Sequence, residues 1–72
     1  MTPRPCVCGG TPAITPSHYV PDYWHVHCGG CGAHHQNYGR ERAIGDWNRD
    51  MERNLGMPLW QWRAYVRLCN DR

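Results

Sequence analysis

The sequence predicts a small α+β domain: a short antiparallel β-ribbon gripped at one end by two cysteine-bearing turns, then one packed helix and a second C-terminal helix. Three observations predict it. The first is that four cysteines come as two close pairs, Cys6/Cys8 and Cys28/Cys31, each followed by glycine. The second is that residues between and just after the pairs alternate with the period of a β-strand. The third is that from residue 40 onward the apolar residues recur at helical spacing instead.

A chain of 72 residues is expected to form one domain over 1–72. A chain this short buries only about 60% of its unfolded surface. Its apolar core supplies no more than ~3–5 kcal/mol, so it needs a staple. The ribbon is expected over about 5–38, the first helix over about 40–55 and the C-terminal helix over about 58–70.

Residues 1–5 carry Pro3 and Pro5 and read as an extended lead-in. Cys6-Val7-Cys8-Gly9-Gly10 is the first turn, or knuckle, whose glycines let the backbone bend beneath the sulfurs. Residues 13–20 read as a first strand that Pro16 confines to a sheet edge, because proline donates nothing to a ladder. Pro21-Asp22 signals a turn. Residues 23–28 (Tyr-Trp-His-Val-His-Cys) alternate cleanly as a second strand. Trp24, Val26 and Cys28 share the metal-side face, and Tyr23, His25 and His27 share the other. A short third strand is expected at about 33–37, after the second knuckle.

Ala43, Ile44, Trp47, Met51 and Leu55 then form one stripe of a helix, with Arg42, Arg49, Glu52 and Arg53 on the opposite face. Gly39 is the expected N-cap, with Asn37 as the alternative. Gly45 inside this helix costs roughly 1 kcal/mol relative to alanine; either it permits close packing on a knuckle or it is merely tolerated. Gly56 marks the stop, and Pro58 suits the first turn of the next helix. In that helix Leu59, Trp62, Val66 and Cys69 form one apolar row, widened by Tyr65. Trp60, Ala64 and Leu68 form a second row, and Arg63 and Arg67 occupy the polar strip. The two rings of a Trp-x-Trp pair cannot share a helical face. One is expected to pack inward and the other to lie near the surface.

The chemistry centres on the cysteines. Paired cysteines separated by the 19 residues of 9–27 match the spacing of a zinc site. The expected ligands are Cys6, Cys8, Cys28 and Cys31 around one Zn2+, making the domain a zinc ribbon. The first pair has one intervening residue rather than two, so a histidine in place of Cys6 is the alternative. His34 is then first choice, with His18, His25 and His27 also within the ribbon. Disulfides are the competing use of these thiols. Met1-Thr2-Pro3-Arg4-Pro5 has no apolar run behind it, so no secretory signal is expected. A reducing, cytoplasmic setting then favours metal over disulfide. Cys69 stands apart and reads as a small apolar packing residue.

Composition narrows the function classes. No apolar stretch is long enough to span a membrane. The net charge is +2 and there is no lysine. Residues 1–39 hold Arg4 against Asp22, whereas residues 40–72 hold seven arginines against five acids. This excludes an acidic nucleic-acid mimic and falls short of a dedicated basic patch. Arg40, Arg42, Arg49 and Arg53 would carry any phosphate contacts. Glu41, Asp46, Asp50 and Glu52 interleave with them, which places nucleic acid second among expected partners. A closed four-thiolate site leaves no metal position for water, so the chain is expected not to be an enzyme.

Three blocks in order carry a resemblance: Pro5-Cys6-Val7-Cys8-Gly9-Gly10, then Trp24-His25-Val26-His27-Cys28-Gly29-Gly30-Cys31-Gly32-Ala33, then Ala43-Ile44-Gly45-Asp46-Trp47-Asn48-Arg49. Over about residues 5–50 the chain resembles the Lar-type restriction alleviation proteins, small zinc-ribbon proteins of phages and prophages. It departs from that pattern in the shortened first knuckle and in Gly45-Asp46, and residues 57–72 have no counterpart in it. The resemblance implies a phage or prophage accessory protein that modulates host restriction–modification enzymes inside the bacterial cell. The expected function is that of a non-enzymatic, zinc-stapled adaptor binding a host protein complex, either a restriction enzyme or the transcription machinery. Trp60, Trp62, Arg63 and Arg67 are the expected partner-binding residues. Exposed tryptophan beside arginine is the chemistry of interface hot spots. Self-association through the same helix is a variant of this expectation.

Overall fold

A computed structural model describes residues 2–70; Met1, Asp71 and Arg72, the ends of the expected domain, lie outside the described residues. Three strands, β1 (Pro12–Pro16), β2 (Tyr23–Cys28) and β3 (His34–Tyr38), precede two helices, α1 (Arg40–Arg53) and α2 (Leu59–Asn70). The strands form one antiparallel sheet in the order β1-β2-β3. The α+β ribbon-then-helices architecture is the one expected.

Register decides what each face does. Ile14 pairs with Val26, and Val26 with His35. Val26 and Cys28 are fully buried, and Ile14 and Trp24 pack against the same core. On the other face Tyr23 lies opposite Tyr38 and His25 opposite Gln36. There Tyr23 meets Tyr38 and His25 edge-on, with ring centroids 4.9 and 5.5 Å apart. The period-2 reading of β2 thus separates core from surface as expected.

The first strand is shorter than expected. It ends at Pro16 instead of running to residue 20, because the chain turns at once. The Ser17 N–H donates to the Tyr23 carbonyl at 2.7 Å, and Ser17 Oγ accepts from the amides of Tyr19 and Val20 at 3.2 Å each. A serine hydroxyl that bonds its own downstream backbone competes with the ladder. Asp22 closes the turn at φ 57, a conformation aspartate tolerates better than most residues.

Helix α1 buries Ala43, Ile44, Trp47 and Met51. Leu55, expected on the same stripe, is exposed, since the helix stops at Arg53 and the chain turns through Gly56 at φ +87. Asn54 caps the end by donating Nδ2 to the carbonyl of Asp50 at 2.8 Å and to Asp50 Oδ1 at 3.0 Å. Gly39 is the N-cap as expected, without a side-chain capping bond. Asn37 instead donates to Asp46 Oδ2 at 2.9 Å, tying β3 to α1. His35 does the same through Asp50 Oδ2 at 3.0 Å. Gly45 is not explained by packing on a knuckle, because a Cβ placed there would meet nothing within 4 Å.

Helix α2 folds back on the ribbon. Trp62 and Val66 join the single core cluster with Val26, Cys28, Ala33, Ile44, Trp47 and Met51. Its other row faces out, with Trp60 and Leu68 at 73% and 70% exposure. Cys69 is exposed, so it is not the buried packing residue that the helical pattern suggested.

Candidate metal centre

The two knuckles are the same turn built with different residue counts. In the second, the Cys28 N–H donates to the Ala33 carbonyl at 2.9 Å and the Gly32 N–H to the Cys28 carbonyl at 3.0 Å. In the first, the Cys6 N–H donates to the Gly10 carbonyl at 2.9 Å and the Gly9 N–H to the Cys6 carbonyl at 2.8 Å. Each closing hydrogen bond therefore spans one residue fewer in the first knuckle. Gly9 and Gly32 close the two turns at φ +91 and +83, which only glycine adopts without steric cost. The shortened pair is absorbed in the turn, and Cys6 keeps its place.

All four sulfurs converge. The Sγ atoms of Cys6, Cys8, Cys28 and Cys31 lie within 4.8 Å of one another. Cys6 to Cys31 is 3.5 Å and Cys8 to Cys28 is 3.4 Å. The thiols are unpaired by disulfide. A tetrahedral ion with metal–sulfur bonds of ~2.3 Å needs sulfurs about 3.8 Å apart, so the cage fits such an ion after only small adjustments. Among the described residues no histidine joins this group. His34, the expected substitute for Cys6, is exposed, and its Nδ1 lies 3.4 Å from the Gly32 carbonyl oxygen.

The surroundings compensate sulfur charge unevenly. Burial pushes the Cys6 thiol well above the ordinary thiol range. Burial also raises Cys8, against the opposing amide of Gly10, whose N–H points at its sulfur from 3.4 Å. Cys28 is buried too, but the amides of Cys31 and Gly30 and the neighbouring thiols outweigh burial and lower it. A thiol binds a cation only as thiolate, so a bound cation would supply the positive charge that this buried cluster lacks.

Outer contacts hold the cage closed. The Trp62 indole N–H donates to Cys31 Sγ at 3.4 Å, and the Asn70 amide donates to the Gly32 carbonyl at 3.2 Å. Both come from α2. On the other side α1 pins the lead-in. Trp47 Nε1 donates to the Arg4 carbonyl at 2.9 Å, Asn48 Oδ1 accepts from the Arg4 amide at 2.7 Å, and Asn48 Nδ2 donates to the Thr2 carbonyl at 3.2 Å. The consecutive Trp-Asn of α1 thereby clamps the backbone immediately before the first knuckle. Sequence reasoning missed these roles of Asn48 and Trp62. The adjacency of Trp47 and Asn48 was the available signal for the first, and nothing in the chain order signals that residue 62 returns to residue 31.

Gly10 carries a steric role as well. A Cβ there would stand 2.7 Å from Cys28 Sγ and 3.4 Å from Cys8 Sγ. The second glycine of Cys-Val-Cys-Gly-Gly therefore leaves the space that the sulfurs fill.

The expected partner-binding residues divide. Trp60, Arg63 and Arg67 line a surface cleft of ≈ 470 Å³ with Ala64 and Leu68. Trp62 is fully buried against Cys31, so it presents nothing to a partner and belongs to the metal centre instead. No helix among the described residues is long and apolar enough to cross a membrane. In comparisons with known proteins, no family model, curated protein or solved structure matches the chain.

Proposed function

We propose that the chain is a zinc-stapled, non-catalytic binding module that docks on a host protein complex and modulates it. The observation that carries this reading is the division of labour along α2. Trp62 closes over Cys31, while Trp60, two residues earlier, is 73% exposed beside Arg63 and Arg67. One face of the helix serves the metal centre and the other is left for recognition. Zinc suits the donor set, since four thiolates in a tetrahedral, closed cage are the chemistry of a structural zinc site. Its contribution would be to bind the two knuckles into one rigid end. Four sulfurs fill its coordination positions, which leaves no place for a catalytic water.

The setting rests on the resemblance of residues 5–50 to Lar-type restriction alleviation proteins. A phage or prophage origin, a bacterial cytoplasmic site of action and a restriction–modification target follow from that resemblance. The knuckle geometry is compatible with it, because the one departure in the first cysteine pair is accommodated in the turn.

The test pairs chemistry with biology. Purified protein should contain one zinc per chain by elemental analysis. Expression in a restricting bacterial host should raise the plating efficiency of unmodified phage, and Trp60→Ala should abolish the effect while circular dichroism stays unchanged. Unaltered restriction in the presence of folded wild-type protein would refute the restriction target.

A further inference from the structure

We infer that the outer face of α2 is one half of a helix–helix contact whose partner is an acidic amphipathic helix. This rests on the binding-module reading and specifies the chemistry of the partner. Trp60, Arg63, Ala64 and Arg67 stand at i, i+3, i+4 and i+7 of α2 and, with Leu68, line one cleft of ≈ 470 Å³. Four residues at that spacing form the hole into which a facing helix inserts one apolar knob. Here the hole has a small floor at Ala64 and a tall apolar wall at Trp60, and Leu68 extends the apolar cleft beyond it; Trp60 and Leu68 are 73% and 70% exposed. A leucine-sized side chain fits such a notch, whereas an apolar patch without a floor would offer no register.

Charge selects the occupant. Met57–Asn70 contains no aspartate or glutamate, and Arg63 and Arg67 pair with no carboxylate among the described residues. A second copy of this chain would set these arginines against their own counterparts around a two-fold axis. Like charges facing each other across such a contact are costly. A partner helix with glutamate or aspartate flanking its knob would instead complete both guanidiniums, whose planar forks donate two N–H bonds to one carboxylate.

The probe is a pair of synthetic helical peptides with leucine at every a and d position, identical except for glutamate or lysine at the flanking positions. Binding to the full-length, zinc-loaded chain is read by the shift in tryptophan emission and by calorimetry. The glutamate peptide should bind at least about tenfold more tightly, with affinity falling as salt is raised. The double charge reversal R63E/R67E should invert this preference, and Ala64→Trp, which fills the hole on an exposed position, should remove binding of the glutamate peptide. Sedimentation should find the chain monomeric at the concentrations used. Equal affinity for the two peptides, no binding of either, an unchanged preference in the reversed variant, or dimerisation through this face would each overturn the inference. The same variants in the phage-plating assay separate it from the function it rests on. Alleviation that survives R63E/R67E and Ala64→Trp sinks the helix contact alone, and wild-type protein without alleviation sinks the restriction target.

Discussion

Four tryptophans share this small chain and do different work. Trp47 is fully buried on α1, and its indole N–H reaches the Arg4 carbonyl at 2.9 Å. Removing it deletes a large core side chain and frees the lead-in before Cys6. Trp47→Ala should therefore cost about 3–5 kcal/mol, a large share of the stability of so short a chain, and denaturant titration of the zinc-loaded protein checks it. Trp60→Ala, on the exposed row, should stay within about 0.5 kcal/mol in the same titration. Trp62 calls for a subtler change. Trp62→Phe keeps most of the buried ring but removes the donor that points at Cys31 Sγ from 3.4 Å. A loss of about 1 kcal/mol, with faster metal loss to a competing chelator, is the expected outcome. Equal metal retention would show that the indole contributes bulk alone.

At the scale of elements, the two glycine classes make opposite predictions. Gly45 sits inside α1 with nothing within 4 Å of an added Cβ. Gly45→Ala should stabilise the protein by roughly 0.5–1 kcal/mol, seen as a rise of several degrees in thermal midpoint. Gly10→Ala places a methyl 2.7 Å from Cys28 Sγ. It should weaken metal binding at least about tenfold in a competition titration, because the first knuckle must back away from the cage; an unchanged affinity would mean the knuckle relaxes freely. The same elements show what the sequence could and could not disclose. The alternation of residues 23–28 and the stripe from Ala43 to Met51 were legible because each is set by its own periodicity. Leu55 continues that stripe on paper, yet the helix has already ended at Arg53 and Leu55 lies in the turn between Asn54 and Gly56. The end of β1 was hidden because it depends on the Ser17 hydroxyl bonding its own turn. The four sulfurs could be read from spacing, whereas the choice between Trp60 and Trp62 could not. It depends on where α2 comes to rest, and that is a tertiary fact.

At the scale of the whole molecule, every element connects to the cysteine cage. β1 leaves the first knuckle, β2 runs into the second and β3 leaves it, α1 pins the lead-in to the first, and α2 closes over the second. The core is one cluster that includes Cys6 and Cys28, so the cage and the apolar core are a single cooperative unit. Metal removal should then unfold the chain as a whole. Binding of structural zinc in small domains is worth ~10–16 kcal/mol at neutral pH, far more than the ~3–5 kcal/mol a core of this size supplies. The pH dependence has a definite sign. A thiol ligates only as thiolate, so the bound cation depresses the ligand pKa values in the folded state relative to the unfolded chain. A group depressed on folding contributes stability that is present at high pH and lost as pH falls. The cysteine ligands must surrender their protons on loading. Zinc added to reduced, metal-free protein in weak buffer should therefore acidify the solution, and the zinc-loaded fold should melt at lower temperature as pH is lowered from neutral. Circular dichroism after addition of a strong chelator at neutral pH should show loss of both helix and strand signals together. Helices that persist after complete zinc removal would separate α1 and α2 from the cage and break the single-unit account.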